Sequence, residues 1–315
     1  MKQLGTFKKI IFSALLIIGI LSCSTIEKNK EEPKKAVLIE HPERMFWEIK
    51  KENSSIYILG TLHFADTNFF PLEENILTAF DSADRLVSEI GGSKEISDLA
   101  VTLQERIIKN LNPAPEKNLK NFLTEADITL LKTELGEETA EALFIFNPWV
   151  LTLSITETIY QKAGLNGQNG IDFYLMARAG TKQIEALEAG EKQIDVLSMG
   201  TFEEQLDILK NTLEELRNPE KGIKQIEKLK RFYLSNNHEA LEKLLKETMT
   251  VPENISAQSS KQFIDALLKD RNIVWAKKFE DYLQSGGTTF IFAGAGHFLG
   301  EENVFMQMRK NGTLE

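Results

Sequence analysis

The sequence predicts an α/β domain: a central mixed, largely parallel sheet built from N- and C-terminal strands, with a large helical middle region. Three observations carry this reading. Apolar runs of strand composition lie near the two ends, IYILGTLH at 56–63 and TTFIFAGAGHFLG at 288–300. The first opens a strand–loop–helix–strand unit, and such a unit joins parallel strands. Between them, apolar residues recur mostly at helical spacing from 97 to 246.

Residues 1–23 stand outside the fold. Lys2, Lys8 and Lys9 precede an apolar run, Ile10–Leu21, that is too short to span a bilayer comfortably. It closes on Leu21-Ser22-Cys23, which resembles the lipobox of bacterial lipoproteins. Cys23 is then the lipid attachment point, and several acyl chains on one residue give stable anchoring. It is the single cysteine of the chain, so no disulfide, thiolate ligand or cysteine nucleophile is expected in the processed protein. Processing takes the formal charge from −10 to −13, because the segment carries three lysines and no acids. Ser24 after the cysteine points to an outer membrane, where the host has one. Residues 24–44 are polar and read as a flexible tether, leaving 45–315 as the domain.

Within the domain, Met45–Lys51 and Ser55–Leu59 form a hairpin around Glu52-Asn53-Ser54. After His63 comes the loop FADTNFFP and a helix over Leu72–Ser82, with Pro71, Glu73 and Glu74 suited to its start. Arg85–Ile90 is the next strand, expected beside the one that ends in His63. Helices follow over 97–109, 115–123, 125–135, 137–146, 148–163 and 170–179, and then a strand at 183–187. The charged helices over 191–198, 202–216, 219–234 and 239–246 read as solvated faces. Two more helices, 259–268 and 272–283, lead to the last strand at 288–293, and a final helix covers 301–309. Asn272 is expected as the N-cap of its helix.

Both end strands close in Gly-x-x-His: Gly60-Thr61-Leu62-His63 and Gly294-Ala295-Gly296-His297. The other two histidines, His41 and His238, lie in polar surroundings and read as bystanders. Two imidazoles at strand ends suggest one bipartite site, and a catalytic metal centre adds an anionic ligand and an open position. Glu89, among Val87 and Ile90, is the candidate carboxylate. Its ordinary alternatives are an outward-facing strand end or a pair with an arginine. Arg271 could hold a substrate carboxylate or an oxyanion, pair with Glu89, or lie on the surface.

Other chemistries find no support. Gly294-x-Gly296 lacks the third glycine at the spacing of a dinucleotide fingerprint, and too little chain follows for its βαβ unit. There is no His-Glu-x-x-His helix and no Gly-x-Ser-x-Gly elbow. The acidic balance argues against nucleic acid as a partner.

The ordered set FWEIKKENSSIYILGTLH, FPLEENILTAFDSADRLVSEI, GIDFYLMARA…IEALE, DRNIVWAKK and FIFAGAGHFLGEENV resembles the TraB/PrgY/GumN family over 45–312. That family includes the Tiki proteases and is more distantly related to the erythromycin-esterase and ChaN-like group. The resemblance implies an α/β domain whose site joins His63, His297, Glu89 and Arg271, with Gly60 and Gly294 as the motif glycines. It implies metal-dependent peptide hydrolysis with manganese or cobalt, zinc being a further option, on a peptide or protein substrate. A lipoprotein that binds a peptide or haem, and a metal-free esterase-type hydrolase with His63 as general base, are the rival expectations. Family members run past the last helix into a further strand, whereas this chain reaches only NGTLE.

Overall fold

The computed structural model describes residues 35–109, 115–248 and 257–315. Cys23, the predicted leader and most of the predicted tether lie outside the described residues. Six strands form one mixed sheet: β1 (Val37–Glu40), β2 (Phe46–Lys51), β3 (Ser54–Thr61), β4 (Arg85–Ser88), β5 (Ile184–Ala186) and β6 (Gly287–Gly294). Their order is β1-β2-β3-β6-β4-β5. The β1–β2 and β2–β3 pairs are antiparallel, and the β3–β6, β6–β4 and β4–β5 pairs are parallel.

Two expectations change here. The sheet begins inside the segment read as tether, because Val37–Glu40 adds an outer strand to the hairpin. The alternation of that strand is weak, which is why composition alone hides it. More consequentially, β4 does not lie beside β3; β6 inserts between them. Phe290, Ile291, Phe292 and Ala293 are fully buried, and a strand apolar on both faces belongs at the middle of a parallel sheet. Of these two neighbours of β6, β4 is only four residues long.

The helices are α1 (Glu74–Ser82), α2 (Ser93–Lys109), α3 (Glu125–Leu135), α4 (Glu137–Leu143), α5 (Pro148–Lys162), α6 (Ile171–Ala179), α7 (Gly190–Leu197), α8 (Phe202–Arg217), α9 (Pro219–Leu234), α10 (His238–Thr248), α11 (Ala257–Ile264), α12 (Asp270–Ser285) and α13 (Val304–Lys310). The helix expected over 115–123 resolves into two 3₁₀ turns. Thr124 and Thr201 start α3 and α8 with capping boxes, closing on Asp127 and Glu204. α1 connects β3 to β4 across β6, and Phe80 from it meets Phe290 edge to face in the core, with ring centroids 5.2 Å apart.

The chain end is tied in. Leu314 bridges Ala36 in parallel, and the Ala36 amide donates to the Thr313 carbonyl at 2.8 Å. NGTLE thus supplies a short pairing edge next to β1. No helix among the described residues is long and apolar enough to cross a membrane.

The register fixes what matters for function. Gly60 lies opposite Ala293 and Thr61 opposite Gly294, so both Gly-x-x-His motifs leave the same edge of two adjacent parallel strands. Ser88 pairs with Phe292, which places Glu89 at that same edge on the next strand. The carboxyl ends of parallel strands are where open α/β sheets bind ligands.

Candidate functional site

Gly60 is what lets the two motifs touch. A Cβ there would stand 3.1 Å from the Met45 Cε atom and 3.2 Å from the Ala295 Cα, so the second motif crosses directly over the first strand. The Gly60 carbonyl accepts a hydrogen bond from the buried Tyr233 hydroxyl at 2.6 Å. Beyond it, Thr61 donates to Asp172 Oδ1 at 2.7 Å, and the His63 ring meets Asp172 Oδ2 through Nδ1 at 3.0 Å. Asp172 lies in the first turn of α6. One carboxylate therefore fixes both the strand end and the imidazole, and an acceptor at Nδ1 leaves Nε2 as the free nitrogen.

His297 is held in the same sense by a neutral partner. Its Nδ1 stands 2.6 Å from Asn272 Oδ1, while Asn272 Nδ2 donates to the Glu302 carbonyl at 2.8 Å. The amide orientation follows from that second bond, so His297 Nδ1 donates and Nε2 carries the lone pair. Asn272 is not an N-cap: α12 continues from a π-helical turn, Asp265–Lys269, and the side chain is buried at 1% exposure. The Trp275 ring packs over His297, with centroids 4.1 Å apart.

Glu89 sits one residue past β4. Ser88 closes the turn that carries it, accepting from the Gly91 amide at 2.8 Å and donating to the Gly91 carbonyl at 2.7 Å. Glu89 Oε1 accepts from the Gly294 amide at 2.8 Å and lies 3.7 Å from His297 Nε2. Its Oε2 accepts from Arg271 at 3.0 Å and from Gln193 at 2.7 Å. Arg271 also donates through Nε to Glu188 at 2.8 Å and to the Leu267 carbonyl at 3.0 Å, inside the π turn. Of the roles open to Arg271, the geometry thus favours pairing: its guanidinium clamps two buried carboxylates.

Gly294 marks the point on which these groups converge. A Cβ there would lie 3.0 Å from Glu89 Oε1, 3.4 Å from His63 Nε2 and 3.8 Å from the His297 ring. The hollow kept by that glycine is bounded by both histidines and the carboxylate. Even so, no three His, Cys, Asp or Glu side chains among the described residues are drawn together tightly enough to enclose an ion as they stand. Arg271, Gln193 and the Gly294 amide occupy Glu89 instead.

The electrostatics follow from these contacts. The Asp172 carboxylate lifts His63 to about 9, against the cost of desolvation. With 61% of the His63 side chain exposed, water screens part of that attraction. Burial drives His297 down to about 3, although Glu89 pulls it upward. Burial also raises the Glu89 carboxyl, but histidine and Arg271 charge, with the Gly294 amide, outweigh it and hold the group near about 2. Because His297 is neutral at neutral pH, the charges that act on Glu89 there are those of His63 and Arg271.

All four predicted side chains therefore meet at one sheet edge, with both motif glycines in close contacts. Asp172, Glu188, Gln193 and Trp275 escaped the sequence reading. Glu188 had a signal: like Glu89 it follows a short parallel strand and precedes a glycine turn, and its amide donates to the Glu89 carbonyl at 2.9 Å. Asp172 had one too, as an acid in the first turn of an otherwise mostly apolar helix. His41 and His238 stay apart from the site. His41 lies 3.6 Å from Glu48, and His238 lies 3.1 Å from Glu40.

Among known proteins, the chain is 32% identical over 311 residues to an uncharacterized protein of Treponema pallidum (strain Nichols), covering 97% of this chain and 91% of the relative. It is 24% identical over 270 residues to the uncharacterized protein YbaP of Escherichia coli (strain K12), covering 82% and 89%. It is 25% identical over 307 residues to Metalloprotease TIKI1 of Xenopus tropicalis, covering 84% of this chain and 60% of that protein. No solved structure matches. The model of the TraB/PrgY/gumN family matches residues 45–314, and the chain belongs to that family.

Proposed function

We propose that this chain is a metal-dependent peptide hydrolase, with His63, His297 and Glu89 holding a divalent ion at the hollow kept by Gly294. The observation that carries the reading is the pair of Nδ1 bonds, His63 to Asp172 and His297 to Asn272, which leave His297 Nε2 3.7 Å from Glu89 Oε1 and His63 Nε2 facing the hollow at Gly294. Two imidazoles and a carboxylate suit a divalent transition ion, and a partner on the second ring nitrogen is the usual way to orient such ligands. Manganese or cobalt is the ion expected, with zinc as the alternative. A bound ion of this kind polarises a scissile carbonyl and acidifies a water.

The protein's own groups do the rest. Asp172 and Asn272 set the ring orientations, so neither imidazole rotates away. Arg271 neutralises Glu89 and Glu188 together and keeps Glu89 ionised. An ion held there would be met by neutral His63 and His297 through Nε2 and by the Glu89 carboxylate, whose charge Arg271 balances. The relation to Metalloprotease TIKI1 supports this reaction class. The test is hydrolysis of a quenched-fluorescent peptide library by the purified protein. Activity is expected to vanish with a strong chelator, return with manganese or cobalt, and be absent from His297→Ala.

One contact supports a second reading. His63 with Asp172 at 3.0 Å is also the arrangement of a general base oriented by a carboxylate. Activity that survives the chelator but not His63→Ala would favour this metal-free hydrolase.

We further infer that Cys23 tethers the domain to the cell envelope through lipid. Cys23→Ser is expected to move the protein from the membrane fraction to the soluble one.

A further inference from the structure

α9 has two faces with different tasks. Its inner face grips the first histidine motif: Tyr233 donates to the Gly60 carbonyl at 2.6 Å, and Lys230 pairs with Asp66, three residues beyond His63. Ile226 and Tyr233 on that side are buried. Its outer face is a cationic ridge. Lys221, Lys224, Lys228 and Arg231 are all exposed and follow at spacings of three, four and three, which puts them on one stripe of the helix. From first to last the stripe is about 15 Å long.

The ridge walls a groove of about 830 Å³ at the α8–α9 corner. Other charges in the groove are accounted for. Arg217 is engaged by Asp127 and Glu214, and Lys221 faces Glu215. Glu220 and Glu227 lie on the flank of the ridge, Glu220 in the first turn where it suits the helix dipole. Lys224, Lys228 and Arg231 have no ion-pair partner among the described residues. Four cations in line on a chain with a formal charge of −10 form a local inversion of sign.

We propose that this groove is a docking site for an acidic polypeptide segment, on the face of α9 opposite the one that holds the first Gly-x-x-His strand. The groove is a concavity along α9 that ends at Arg217 and Asn218, a shape that suits an extended chain better than a flat bilayer, and the charge pattern selects acidic side chains. The site deepens the hydrolase reading by naming a class of substrate segment, and it rests on that reading only for its purpose, not for its existence.

The experiment is fluorescence anisotropy of a labelled decaglutamate with the full chain in a non-ionic detergent. Saturable binding is expected, weakening about tenfold as salt rises from about 0.05 M to about 0.3 M. The triple variant Lys224→Gln, Lys228→Gln, Arg231→Gln is expected to lose at least about tenfold in affinity while keeping its thermal midpoint. His297→Ala is expected to bind decaglutamate like the wild type, so failure of the hydrolase reading leaves this result untouched. No saturable binding at low salt, or equal binding by the triple variant, overturns the proposal. So does a preference for vesicles with about 30% phosphatidylglycerol over neutral ones that the triple variant abolishes, with no peptide binding, since that identifies a lipid surface instead.

Discussion

Asn272 Oδ1 accepts from His297 Nδ1 at 2.6 Å, and the same amide is anchored by its nitrogen to the Glu302 carbonyl at 2.8 Å. A helix residue that looks like a cap in the sequence is therefore the device that sets the tautomer of a site histidine. Asn272→Leu removes both bonds and leaves a buried imidazole N–H without a partner. Metal affinity measured by calorimetry is expected to fall by about 10- to 100-fold, the range typical for loss of such an orienting partner.

His63 offers the opposite case, with a charged partner. Its folded pKa is raised to about 9 from 6.5 by Asp172. A raised folded value stabilises the fold fully below about 6.5, and the contribution disappears as pH climbs through about 9. Asp172→Asn keeps an acceptor for Thr61 but removes the charge. The stability gap between wild type and variant is expected to be about 1 kcal/mol near pH 6, where His63 is protonated and the carboxylate ionised, after allowance for solvent screening, and to close above about pH 9. Urea titrations of the metal-free protein at several pH values measure it.

Arg271 neutralises Glu89 and Glu188, which are both buried. Arg271→Met strands two carboxylates, and breaking a buried pair in this way costs about 3–5 kcal/mol. The folded pKa of Glu89 is depressed to about 2, so its contribution is present above about 4.5 and is lost as pH falls toward about 2. In Arg271→Met this acid loss moves to higher pH. Adding Glu188→Gln is expected to restore part of the stability, since one stranded charge is then gone. Arg271→Lys keeps charge but cannot reach both carboxylates through a fork.

Gly294→Ala places a methyl group 3.0 Å from Glu89 Oε1 and 3.4 Å from His63 Nε2. The strand accommodates alanine at a backbone φ of −50° and ψ of 129°, so the stability loss is expected to stay within about 2 kcal/mol. Ion binding should be lost almost entirely. A variant that remains folded by circular dichroism yet binds cobalt like the wild type would show that the hollow is not where the ion goes.

The sequence made the two Gly-x-x-His strands and the parallel unit legible because burial leaves a composition signal. It did not order the sheet. β3 and β4 are consecutive parallel strands, yet the fully apolar β6 takes the place between them. Val37–Glu40 was invisible for the converse reason, as an outer strand with little apolar alternation. At the site, the histidines and Glu89 could be named from their strand ends. Asp172, Asn272 and Gln193 act through contacts across 25 to 111 residues, so even where a residue stands out locally, as Asp172 does, its partner is not legible.

The central claim is that His63, His297 and Glu89 share one divalent ion. Cobalt titrated into metal-free protein lacking residues 1–23, followed by its visible absorption, tests it most directly. One equivalent with a saturating band is predicted for the wild type, and loss of the band in each of His63→Ala, His297→Ala and Glu89→Gln. A wild-type spectrum that matches free cobalt throughout, or three variants that saturate as the wild type does, would contradict it.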